Sequence, residues 1–305
     1  MSLADEEPKL STVTIDHSKL NKQKQTFDDL GYVVIRNALP QEQVNELLQV
    51  IEELRESLEN DPKRSKVEGG LNIRPIIEKH PAFMDLLICP NTFAAVTKLL
   101  GHYNIQLQQS NLIEAHPSVE RRLTGWHSDG GMPSIGVNGI RAFGSLKVAY
   151  FLRDLTEPDM GQLMLAPGSH RVQGAPPFLP DESNPAGAIQ IQANAGDAVI
   201  FQQGIWHAAA PNYSTQSRIA LYYGYSYRVL RPVDYQTMPE ALLADCTPVE
   251  KQLLGETVNH QGYYVPTQED TPLQTWFFDH FDDDIDRGDL ERVGDVSLTG
   301  SSPAP

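Results

Sequence analysis

The sequence predicts a mainly β domain, a sandwich or barrel with helices laid against it. Three observations carry that expectation. Strand-like runs at 144–152, 161–167, 188–193, 197–201 and 218–229 are separated by clusters of turn residues, the pattern of layered all-β folds. Pro40 opens an amphipathic helix in which Val44, Leu47, Leu48, Ile51, Leu54 and Leu58 recur at three- and four-residue steps, an apolar stripe suited to covering one face of a sheet. The chain has 305 residues and 40% hydrophobic content, enough for one sizeable core of the kind that all-β domains form as a single unit.

In chain order, residues 1–24 are polar without a sustained period and read as a flexible arm. Residues 26–39 give a short helical piece and the β-branched strand Gly31-Tyr-Val-Val-Ile35, followed by the long helix and a charged loop over 61–70. Residues 71–75 border the expected site. Two short helices are expected at 81–87 and 91–100, with Asn91 as N-cap of the second and Gly101 just past its end. Residues 104–115 alternate as a strand. The glycine- and proline-bearing run 132–144 reads as a loop over the site, and 239–280 as mixed helix and loop packed through Trp276, Phe277 and Phe278. The acidic run 279–286 fails as an EF-hand, since Arg287 stands where the turn glycine is needed, and 293–305 reads as a disordered tail. The domain boundaries are thus 25–292 for one domain between two tails.

Composition narrows the function classes. A net charge of −16 disfavours nucleic acid and anionic membranes, which require a basic footprint. Cys89 and Cys246 are too few for a disulfide framework, so a cytoplasmic location is expected. No apolar run reaches the roughly 20 residues of a membrane span, and the N-terminal segment shows no signal-peptide core.

The chemistry gathers at Gly125-Trp-His-Ser-Asp-Gly-Gly131. On an extended chain His127 and Asp129 face the same side, so an imidazole and a carboxylate reach one metal ion together. A short motif of this kind is common by chance and needs a distant partner, which His207 supplies at the end of Asp197-Ala-Val-Ile-Phe-Gln-Gln-Gly-Ile-Trp-His207. Two histidines and one carboxylate with open positions describe the facial triad of non-heme Fe(II) oxygenases.

With Arg218 beyond it and Ala166-Pro-Gly-Ser-His170 between, this set, spread over about 27–235, resembles the phytanoyl-CoA dioxygenase family of Fe(II)/2-oxoglutarate oxygenases. The resemblance implies a cupin-like jelly roll (double-stranded β-helix), Fe(II) and 2-oxoglutarate as cofactors with O2 as cosubstrate, and hydroxylation of an aliphatic carbon of a small molecule. It implies that His127, Asp129 and His207 hold the metal. It also implies that Arg218 takes the distal carboxylate of 2-oxoglutarate, and that Lys147 and Gln109 make further polar contacts to it. Where many relatives carry a hydroxyl, this chain has Ala209 and Ala220, leaving Lys147 or Tyr222 to complete the anchor. Related halogenating enzymes have Gly or Ala at the carboxylate position, so Asp129 points to oxygen transfer. Desaturation or ring formation by the same chemistry, and a metal-binding cupin-like protein without turnover, are the alternatives. Trp126 and Trp206 read as packing residues, and Ser169 and His170 as turn residues. Arg74, Arg228 and Arg231 are candidates to meet an anionic substrate or to form surface ion pairs.

Overall fold

The structure, a computed structural model, describes residues 17–63, 69–118, 125–129, 136–137, 140–141, 143–172, 174–178 and 183–280. The chain enters through helix α1 (His17–Leu30), which already covers residues 17–24 of the expected arm, and turns into strand β1 (Tyr32–Ile35). The amphipathic helix forms as α2 (Gln41–Glu53) and α3 (Arg55–Glu59), burying Val44, Leu47, Val50, Ile51 and Leu58. After β2 (Gly70–Ile73) come α4 (Pro81–Met84) and α5 (Pro90–Leu100). Here Cys89 is the N-cap of α5, because Pro90 at the first helical position needs no donor partner. Asn91 instead donates to Ala38 O at 2.9 Å. Gly101 ends that helix with φ 70°, as expected of a left-handed terminator.

The long strand β3 (Ile105–Ala115) leads to the short ribbon β4 (Gly136–Val137) and β5 (Ile140–Arg141). Then follow β6 (Ser145–Phe151), β7 (Leu163–Leu165), β8 (Ile189–Gln190), β9 (Ala198–Gln202), β10 (His207–Ala209) and β11 (Arg218–Tyr227). Helices α6 (Glu240–Ala244), α7 (Pro248–Leu253) and α8 (Pro272–His280) close the described chain. Phe277 is buried, while Trp276 and Phe278 pack at the margin of the core. The expected tail lies outside the described residues. None of the described helices is long and apolar enough to cross a membrane.

Six strands form one antiparallel sheet in the order β1-β9-β6-β11-β3-β2, and three form a second, β10-β7-β8. Residues two apart on a strand share a face, and β11 sorts the core accordingly. Ile219, Leu221, Tyr223 and Tyr225 join the larger core under the helices, whereas Ala220 and Tyr222 join a smaller one with Phe151, Val199, Phe201 and Leu165 between the sheets. Tyr223 and Tyr225 satisfy their buried hydroxyls on Phe83 O at 2.6 Å and Leu87 O at 2.8 Å, tying the sheet to the α4 region. A register shift at Gly224/Tyr225 keeps this alternation in step with β3.

One glycine fixes how β9 enters under α2. Gly196 has φ +90°, and a Cβ there would stand 2.6 Å from Leu39 O, the residue whose N–H it receives at 2.9 Å. Gly196→Ala is expected to destabilise the fold by about 2 kcal/mol or more, since left-handed strain alone costs about 1–3 kcal/mol. Gly187, with φ +76° and open space around it, provides the comparison. Urea denaturation should show the smaller loss for Gly187→Ala.

Candidate active site

The turn after β9 aims β10 at the space between the sheets. Ile205 N–H closes it on Gln202 O at 3.0 Å, and Trp206 N–H donates to Ser169 Oγ at 2.9 Å, so Ser169 positions the residue before His207. His207 and His127 then exchange both backbone hydrogen bonds, at 2.8 and 3.0 Å, and Asp129 N–H donates to Gln203 O at 3.0 Å. Segment 125–129 thereby lies along β10 opposite β7, and its extended course brings the side chains of His127 and Asp129 to the same place.

There the His127 and His207 rings stand 4.2 Å apart. His127 Nε2 lies 3.8 Å from Asp129 Oδ1, and His207 Nε2 lies 3.6 Å from Asp129 Oδ2. All three residues offer ligand atoms within 4.8 Å of one another, so the group could hold one metal ion. Both imidazoles are oriented for this. His127 Nδ1 meets Gly125 O at 2.8 Å and His207 Nδ1 meets Ile205 O at 2.9 Å. A carbonyl only accepts, so each Nδ1 carries the proton and each Nε2 keeps a lone pair for a metal. Burial pushes His207 down to about 4, against the opposing pull of Asp129, which leaves it neutral at pH 7. Burial works the other way on Asp129, but the Lys147 ammonium and both histidines outweigh it and hold the carboxyl well below its usual range. Lys147 Nζ is 2.6 Å from Asp129 Oδ2.

These groups line one end of a cavity of about 120 Å³, whose other walls are Arg218, Tyr222, Ile113 and Asn111 from the large sheet and Asn72 and Arg74 at its edge. Arg218 is buried, donating Nε to Gly161 O at 2.9 Å and Nη1 to Ile113 O at 3.3 Å. Three cations face a single carboxylate here, although the chain as a whole carries −16.

The expected residues fall into place unevenly. His127, Asp129, His207, Lys147, Arg218 and Tyr222 meet in the cavity, and so does Arg74. Gln109 does not line it. Its amide lies over Gly224, where a Cβ would come within 2.8 Å of Gln109 Cγ, and Asn111, two residues on along the same strand face, lines the cavity in its stead. The alternation of β3 was the signal for Asn111, one step from the residue chosen. His170 meets Asp28 O at 3.0 Å, away from the cavity. Trp206 donates to Gly174 O at 3.0 Å and Trp126 to Asn184 Oδ1 at 3.2 Å, both as packing residues. Arg228 is buried and donates to Asp270 O at 2.7 Å, a structural clasp instead of a substrate contact.

Against known proteins, the family model for phytanoyl-CoA dioxygenase matches residues 27–220. The chain belongs to the phytanoyl-CoA dioxygenase family. It is accordingly a 2-oxoglutarate-dependent dioxygenase. Among curated proteins, an uncharacterised protein of Mycobacterium tuberculosis is 23% identical over 82% of this chain and 93% of its own. The ectoine dioxygenase of Nocardia farcinica is 28% identical over 63% of this chain and 72% of its own. Among solved structures, HygX of Streptomyces hygroscopicus with nickel and 2-oxoglutarate bound covers 72% of this chain and 90% of its own at 17% identity, with a TM-score of 0.56. That likeness gives the two-sheet arrangement its name, a jelly roll.

Proposed function

We propose that this family member hydroxylates an aliphatic carbon of a small molecule, and that His127, Asp129 and His207 are its iron ligands. The observation carrying the assignment is the pair of imidazoles whose Nδ1–H groups are spent on Gly125 O and Ile205 O, leaving two Nε2 lone pairs facing one ionised carboxylate. Neutral nitrogen and carboxylate oxygen donors suit Fe(II). When bound, iron with 2-oxoglutarate and O2 supplies the oxidising power to break a C–H bond.

The chain's own residues do the rest. Arg218 has spent Nε and Nη1 on carbonyls, so its plane is fixed and its remaining donors serve the distal carboxylate of 2-oxoglutarate from a buried position. Lys147 keeps Asp129 ionised and brings a second positive charge near the cosubstrate. Tyr222 and Asn111 line the same cavity and supply the polar contacts expected of Gln109. Phe201 and Leu163 form an apolar wall that limits water. Solved neighbours in this fold include HygX with hygromycin B bound and the epimerase SnoN with nogalamycin RO bound, which supports a small-molecule substrate. The two free cysteines, one of them buried, fit a reducing cytoplasm.

Because Asp129 occupies the position that halogenating relatives leave open, the product is expected to gain oxygen and no chlorine even in high chloride. Mass spectrometry of products formed under labelled O2 checks this once a substrate is in hand. One labelled oxygen in the product is the expected result. A product two hydrogens lighter would replace hydroxylation by desaturation or ring closure, the chemistry named for the neighbouring carbocyclase SnoK.

A further inference from the structure

Arg74 stands one residue past β2, at the edge of the large sheet, and lines the cavity from the side opposite Lys147 on the strand order. Its Nε donates to Asn72 Oδ1 at 3.3 Å. With the Asn111 amide turned so that its oxygen faces the guanidinium, Asn111 accepts from Nε at 2.6 Å and from Nη2 at 3.3 Å. Amide oxygens fix the fork in place without neutralising it. Asp234 is the carboxylate whose field Arg74 feels, but it spends Oδ2 on Ser110 N–H at 2.8 Å, and among the described residues Arg74 forms no ion pair.

The other charges in the cavity are accounted for. Lys147 is matched by Asp129 at 2.6 Å. Arg218 serves the distal carboxylate of the cosubstrate, and because the formal charges of Fe(II) and the 2-oxoglutarate dianion cancel, the loaded cavity keeps the net positive charge of its two arginines. A half-buried guanidinium that feels Asp234 only through its field and makes no direct ion pair among the described residues, in a cavity that water leaves when ligands enter, is stabilised by a further anion in contact with it. The planar fork suits a carboxylate, which it can meet with two parallel hydrogen bonds.

We propose that Arg74, braced by Asn72 and Asn111, holds a carboxylate of the molecule to be oxidised, so that the substrates are small organic acids, amino acids among them. This rests on the iron and 2-oxoglutarate reading of the cavity. It explains why an acidic protein concentrates a third cation at this site, and it places the substrate on the β2 edge with its reacting carbon toward the histidines.

The full-length protein, loaded with Mn(II) and saturating 2-oxoglutarate, is the test object, with acetate as the probe and acetamide as its neutral match. Bound paramagnetic Mn(II) broadens the methyl-proton signal of a molecule held nearby. Acetate is expected to show saturable broadening that acetamide lacks, and Arg74→Gln is expected to reduce it fivefold or more. The same variant should bind 2-oxoglutarate within threefold of the unaltered protein, which also certifies its fold. A smaller reduction, or acetate behaving like acetamide, overturns the proposal. A 2-oxoglutarate dissociation constant raised more than threefold in Arg74→Gln also overturns it, by giving Arg74 to the cosubstrate. Failure of the unaltered Mn(II) protein to bind 2-oxoglutarate overturns the underlying reading instead, and is seen before any acetate is added.

Discussion

His207→Ala and His127→Ala are each expected to weaken Fe(II) binding by more than about a hundredfold, beyond the 10–100-fold that loss of a partner behind a ligand costs. The two should differ in their effect on stability. The His207 side chain is 8% exposed against 40% for His127, so removing the former opens a gap beside Phe201, whose ring centre is 5.3 Å away. The backbone bonds that join His127 to His207 do not depend on either side chain, and the jelly roll should survive both changes. Metal content after gel filtration, measured by mass spectrometry, checks this. Full iron occupancy in either variant would remove that histidine from the site.

Arg218→Ala is expected to weaken 2-oxoglutarate binding by about thirtyfold or more, because loss of one partner of a buried charge pair costs roughly 2–5 kcal/mol. It also leaves the Gly161 and Ile113 carbonyls without their donor, so some stability is lost. Arg218→Lys separates the two effects. It keeps the charge and gives up the planar fork, and should bind 2-oxoglutarate more weakly than the unaltered protein but better than the alanine variant. Calorimetric titration into the Mn(II)-loaded protein measures both. A dissociation constant for Arg218→Ala within threefold of the original would place the distal carboxylate elsewhere, with Lys147 the next cation in reach.

The His127, Asp129 and His207 cluster was legible in the sequence because its logic is local. An i, i+2 pair on extended chain needs no knowledge of the fold, and His207 follows a strand-like run that does form as β9. In the structure, however, His207 begins a strand of its own, β10, after a turn closed by Ile205. The far wall of the cavity was harder to read. Asn72 reaches it only because β2 pairs with β3 in a register that sets Asn72 opposite Ile113, and strand register is a long-range property that neighbouring residues do not encode. Gln109 was displaced by Asn111 for a related reason. Gly224 across from Gln109 leaves a hollow that draws in its side chain, and that hollow belongs to β11. Helix α1 escaped notice over 17–24 because its apolar residues are sparse; the buried ring of Phe27 anchors it to the larger core.

The central claim is that one iron held by His127, Asp129 and His207 and one 2-oxoglutarate occupy the same cavity in contact with each other. Anaerobic visible spectroscopy tests it most directly, since a 2-oxo acid chelated to Fe(II) gives a charge-transfer absorption that neither component gives alone. The band is expected only when protein, Fe(II) and 2-oxoglutarate are all present, saturating at one equivalent of iron and vanishing in His207→Ala. No band in the unaltered protein with both bound, or an undiminished band in His207→Ala, would contradict the account.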